Sequence, residues 1–124
     1  MAREGGLLGW QWRTYERNHR DRANLLLHFI AVPLFIAGAL ATVRSAVAGQ
    51  WVAAAISAAT FVFAFALQAV GHRREAEAPV PFDGPSDFVA RVFAEQFITF
   101  PRFILSGGWL RQLARVEHNR GPHG

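Results

Sequence analysis

Polar and apolar positions are very unevenly distributed along this chain. From Ala23 to His72 the only formal charge is Arg44. Two apolar runs, about 23–43 and 51–70, fill this stretch, joined by a turn over Arg44 to Gln50 with Gly49 as its natural break. Each run is about 20 residues, enough to cross a hydrocarbon core as a helix. Pro33 lies inside the first run, where a spanning helix tolerates it if neighbours satisfy the freed carbonyl. Between Val52 and Leu67 the second run has only Ser57 and Thr60 as polar side chains. Its alanines (Ala53, Ala54, Ala55, Ala58, Ala59) permit close helix–helix approach, and their face is where a homo-oligomer would form. The alternative is a buried soluble hairpin, but so short a chain has too little left to cover both runs all round. The pattern predicts an apolar helix hairpin in a membrane.

The flanks read differently. Leu8, Trp12, Tyr15 and His19 fall on one helical stripe, predicting a helix from Leu7 to about Arg20. Trp10 and Trp12 suit a membrane–water interface. After the hairpin, Pro79, Pro81, Gly84 and Pro85 predict a rigid loop. Ser86 is the expected N-cap of an amphipathic helix over about 86–100, with Asp87 in its first turn. Phe88, Val92, Phe93, Phe97 and Phe100 form its apolar stripe, Asp87, Arg91 and Glu95 lie off it, and Pro101 ends or kinks it. Phe103 to Leu105 and Trp109 to Leu110 are too short to span. A polar tail begins at about 111 and is expected to end in disorder. The expected fold class is all-α: one membrane-embedded domain over 1–124, an apolar helix hairpin plus interfacial or re-entrant helices forming a small bundle.

Charge sharpens the topology. The net charge is +4, and every basic residue other than histidine is arginine. Arg17, Arg20, Arg22, Arg73 and Arg74 flank the hairpin's open end, whereas the connecting turn carries Arg44 alone. The positive-inside rule then puts both termini, His19 and His72 on the cytoplasmic side. A bacterial inner membrane is the expected location, and nucleic acid is not an expected partner, because no contiguous basic face is apparent. No signal peptide is evident. There is no cysteine, which excludes disulfides, thiolate metal sites and a thiol nucleophile.

A hairpin brings its ends together, and here both ends carry imidazoles. His19, Asn24 and His28 lie at the front; Gln68, His72, Glu75 and Glu77 lie at the back. Asn24 and His28 share a helix face, as do His72 and Glu75. His19 and His28 converge only if the chain bends around Arg20 to Ala23. Several imidazoles with a carboxylate make a common non-haem iron set, though neutral imidazole also suits zinc, nickel and copper. A hydrogen-bonded structural histidine remains the bland reading of His28.

These residues also carry a resemblance. The stretches YERNHRDRANLLLHFIAVP and LQAVGHRREAEAP hold Tyr15, His19, Asn24, His28 and Pro33, then Gln68, Gly71, His72, Glu75 and Pro79. In this pattern the chain, over roughly residues 10–105, resembles the 2-hydroxy-fatty-acid dioxygenase family of membrane proteins. Its fungal member acts in phytosphingosine breakdown at the endoplasmic reticulum, and its bacterial members form a domain-of-unknown-function group. The resemblance implies an Fe(II)-dependent enzyme that shortens a 2-hydroxy fatty acid by one carbon with O2 at the membrane interface. It implies His19, His28, His72 and Glu75 as metal-binding or catalytic groups, with Asn24 and Gln68 steadying the imidazoles. Arg20, Arg73 and Arg74 are candidates to neutralise the substrate carboxylate. Two alternatives remain: a non-enzymatic helical membrane protein that binds a lipid or a partner, and a different metal-dependent lipid enzyme, such as a zinc hydrolase.

Overall fold

The computed structural model describes residues 5–119, all of whose regular structure is helical. Helix α1 spans Gly6–Thr14, and a single 3-10 turn follows over Glu16–Asn18. The helix expected to reach Arg20 therefore stops early. The chain then bends through His19 to Asp21, as convergence of His19 with His28 requires. Asp21 caps α2, its side chain accepting from the Asn24 backbone N–H at 3.0 Å. Helix α2 spans Arg22–Val47 and α3 spans Trp51–His72. Gly49, at φ 71°, makes the reversal between them.

At 1.5 Å per residue these helices are about 39 and 33 Å long, against a hydrocarbon core of about 30 Å. Both are long and apolar enough to cross a membrane. They close on each other at Gly38, where an added Cβ would lie 3.0 Å from the Phe61 Cβ and backbone nitrogen. The predicted alanine face contributes less: Ala54 is buried, but Ala53, Ala55 and Ala59 are exposed. Phe29, Ile30, Leu40, Val43, Ile56, Val62 and Phe63 also point outward.

A loop over 73–84 leads to a third helical rod. Helix α4 spans Pro85–Ala94, with Pro85 at its first position and Gly84 before it, so Ser86 lies inside the helix instead of capping it. A π turn over Glu95–Thr99 leads without a break into α5, Phe100–Leu105. Pro101 thus neither ends nor breaks the rod. Its ring would collide with the carbonyl four residues back in an α-turn, and the widened turn lies just ahead of it. Gly107 turns the chain into α6, Gly108–Asn119. The expected polar tail is therefore helical as far as Asn119. Its polar and apolar positions segregate by face, and the helix docks through Trp109 Nε1, which donates to the Leu25 carbonyl at 2.9 Å. The expected disordered end, with His123, lies outside the described residues.

Two apolar clusters fix the rod on the hairpin. Tyr15, Leu25, Val32, Phe100, Phe103 and Trp109 pack near its open end. Ala31, Phe35, Ala39, Ala64 and Val92 pack deeper.

Candidate metal centre

Four side chains from four segments meet at the open end of the hairpin. His19 comes from the bend, His28 from α2, His72 from the last residue of α3 and Glu95 from the π turn. Their ligand atoms all lie within 4.8 Å of one another. The imidazole centroids are 4.7, 4.8 and 4.9 Å apart.

Local hydrogen bonds fix the chemistry of the rings. His19 Nδ1 lies 2.8 Å from the Tyr15 carbonyl and His28 Nδ1 lies 3.0 Å from the Asn24 carbonyl. A carbonyl only accepts, so each Nδ1 carries the proton and each Nε2 presents a lone pair. Those Nε2 atoms face Glu95 Oε2 at 3.4 and 3.7 Å. Both, together with His72 Nδ1, are buried without a hydrogen-bond partner. Lone pairs turned towards a carboxylate in a low-dielectric interior repel it unless a cation sits between them. Three nitrogens and one oxygen are a donor set that iron(II), zinc and related ions accept. Two ligands on one ion at about 2.1 Å stand at most about 4.2 Å apart, so only a small contraction separates this cluster from a coordination shell. The Tyr15 hydroxyl donates to Glu95 Oε2 at 2.8 Å, and its ring stacks on His19 at 3.9 Å. Burial and the neighbouring carboxylate push the phenol pKa well above its usual value.

A cavity of about 460 Å3 reaches the cluster from one side. His19, His72, Glu95 and Tyr15 line it, together with the apolar Phe65 and Val92. His28 is fully buried and does not line the cavity.

The structure thus brings His19, His28 and His72 together and leaves Glu75 outside. Glu75 instead accepts from the Arg20 and Asp21 backbone N–H groups, at 2.8 and 3.0 Å, and from Asn24 Nδ2 at 2.7 Å. It clamps the bend that presents His19. Only the backbone carbonyl of Asn24 steadies an imidazole; its side chain goes to Glu75. Gln68 forms a reciprocal amide pair with Gln96, at 2.7 and 2.8 Å, instead of steadying an imidazole. Of the three candidate arginines, Arg73 lines the cavity, while Arg20 and Arg74 do not. Arg74 lies 3.4 Å from Asp21. Glu95 escaped the sequence reading, which set it only off the apolar stripe of an amphipathic helix. The usable signal was the repeat of Asp87, Arg91 and Glu95 at four-residue spacing, one polar face on a helix otherwise rich in phenylalanine.

The family model described as 2-hydroxy-palmitic acid dioxygenase Mpo1-like matches residues 8–100. The chain belongs to this Mpo1-like family. The match ends at Phe100, so it includes all three histidines and Glu95. No curated protein and no solved structure gives a significant match.

Proposed function

We propose that this protein is a membrane-embedded, Fe(II)-dependent dioxygenase that shortens 2-hydroxy fatty acids by one carbon with O2. The observation that carries this reading is the set of orphaned imidazole nitrogens facing Glu95 beside a cavity lined by both polar and apolar side chains. Iron(II) held by His19, His28, His72 and Glu95 would supply O2 activation and a Lewis acid for the substrate's oxygens. The chain's own groups do the rest. The Tyr15 and Asn24 carbonyls hold two imidazoles in the ligating tautomer. The Tyr15 hydroxyl fixes one Glu95 oxygen. Arg73, exposed and lining the cavity, would meet a carboxylate, and Phe65 and Val92 would keep water from the acyl chain.

Membrane embedding is supported by an inverted amphipathicity in the third rod. Phe88, Phe93 and Phe97 are 36–40% exposed, whereas Arg91 is 7%, Gln96 0% and Thr99 2% exposed. Such a helix turns its polar face to the protein and its apolar face to lipid. In this reading the arginine-rich open end, with both termini and the metal centre, faces the cytoplasm. One membrane-embedded unit carries the whole function.

The test is metal content and O2 uptake. Protein purified anaerobically in detergent is expected to hold near-stoichiometric iron, which His72→Ala loses, and to consume O2 with 2-hydroxypalmitate. Zinc in place of iron, or iron without O2 uptake across 2-hydroxy acids of varied length, would refute the dioxygenase reading. A folded protein that binds no metal would leave a lipid-binding role.

A further inference from the structure

The rod that carries Glu95 cannot be a straight α-helix and still do two things at once. Set Glu95 at zero on a helix turning about 100° per residue. Arg91 and Val92, the buried residues before it, then point at about −40° and +60°. The buried residues after it, Gln96, Thr99, Phe100 and Phe103, point at about 100°, 40°, 140° and 80°. The inward faces of the two halves would lie about 80° apart. The π turn removes that mismatch. The Phe100 N–H bonds to the Glu95 carbonyl five residues back, which takes up one extra residue, or about 100° of rotation.

Buried polar contacts hold the turn. Gln96 is locked to Gln68 on α3 by two amide hydrogen bonds. The Thr99 hydroxyl donates to Gln11 Oε1, and Gln11 Nε2 donates to the Arg91 carbonyl at 3.0 Å, so one α1 side chain spans the turn. Pro101 supplies the cause. An α-turn here would drive its ring into the Phe97 carbonyl, and Pro101 has no N–H to return to it.

We propose that Pro101 is a positioning residue: by enforcing the π turn, it rotates Glu95 into register with His19, His28 and His72. The inference rests on reading those four residues as one metal centre. Without the turn, the better-anchored half decides the register. Phe100 and Phe103 are bound into the core with Tyr15 and Trp109, whereas α4 buries only Val92 among its apolar residues. Glu95 therefore swings away from the imidazoles.

The test is a cobalt(II) titration of the detergent-solubilised metal-free protein, read by visible absorption, which reports the donor set and needs no turnover. Pro101→Ala is expected to stay folded, because alanine is the better helix former. It is expected to bind cobalt at least tenfold more weakly, with a spectrum like that of Glu95→Gln. Deleting Ile98, an exposed residue of the turn, restores the register on a straight helix, placing Thr99, Phe100 and Phe103 at about −60°, 40° and −20° from Glu95. Pro101→Ala with Ile98 deleted should therefore recover wild-type affinity and spectrum. Wild-type binding by Pro101→Ala alone, or no recovery in a folded double variant, overturns the proposal. Failure of the wild type to bind cobalt overturns both it and the metal centre. Tight cobalt binding together with the expected variant pattern supports it even in a protein that fails to oxidise 2-hydroxy acids, an outcome that removes only the dioxygenase reading.

Discussion

Glu75 and Glu95 are both glutamates at the open end of the hairpin, and the structure gives them opposite jobs. Glu75→Ala leaves the Arg20 and Asp21 N–H groups and Asn24 Nδ2 without their acceptor. At about 1 kcal/mol per lost hydrogen bond, and with the Arg20 N–H recovering water at the surface, the cost is about 2–3 kcal/mol. Glu95→Gln should cost the metal-free protein almost nothing in stability. The neutral amide removes the negative charge that faces the lone pairs of His19 and His28, and its oxygen, set where Oε2 stands, still accepts from Tyr15. Its metal affinity should instead fall by more than the roughly 10–100-fold typical of an outer-shell partner, because a ligand is lost. The assay is denaturant unfolding of both metal-free variants in detergent, beside a metal titration against a competing chelator. If Glu75→Ala abolishes metal binding at unchanged stability while Glu95→Gln binds as wild type, Glu75 is the ligand and this assignment is wrong.

The protein has a single tyrosine, and its four tryptophans do not titrate, so the rise in near-UV absorbance on tyrosinate formation reports Tyr15 alone. Because its folded pKa is raised, Tyr15 contributes full stability below the unfolded pKa of about 10 and loses it as pH climbs towards the folded value. Tyrosinate should therefore appear in the metal-free protein only well above pH 10 or together with unfolding; its appearance near pH 10 with helicity intact would contradict the buried Tyr15–Glu95 bond. Gly38→Ala forces a methyl group against Phe61 and should cost about 1–3 kcal/mol in thermal unfolding, while an unchanged melting temperature would disprove the close crossing. Chelation should lower the melting temperature of wild type and leave that of His72→Ala unmoved, since an ion that binds only the folded state stabilises it by mass action. Arg73→Ala should raise KM for a 2-hydroxy acid and leave metal content intact; loss of the metal would place Arg73 in a structural role.

How much of this was legible in the sequence follows from which residues act locally. The hairpin, its turn at Gly49 and the start of α3 at Trp51 are written in runs of apolar residues that leave no other helix boundary. The convergence of three histidines followed from hairpin geometry, given the bend before α2. What escaped is long-range. Nothing near Glu75 announces that its partners are backbone N–H groups more than fifty residues away. Nothing near Pro101 announces that the helix will absorb the proline by widening.

The omission of Glu95 has a more general cause. An amphipathic pattern separates an apolar from a polar face but does not say which of them turns inward. In the proposed membrane setting the solvent around this rod is reversed. Phe88, Phe93 and Phe97 form the outer surface, Glu95, Gln96 and Thr99 turn inward to the histidine cluster, α3 and α1, and the Arg91 guanidinium donates to the Val80 and Pro81 carbonyls. The two long apolar runs should decide it for any helix packed beside them, because a chain that cannot cover its hairpin with protein must cover it with lipid. Under that rule Asp87, Arg91 and Glu95 become the inward face. A carboxylate that the bilayer excludes must find buried donors or a cation, and the unpartnered nitrogens of His19, His28 and His72 are what Glu95 meets.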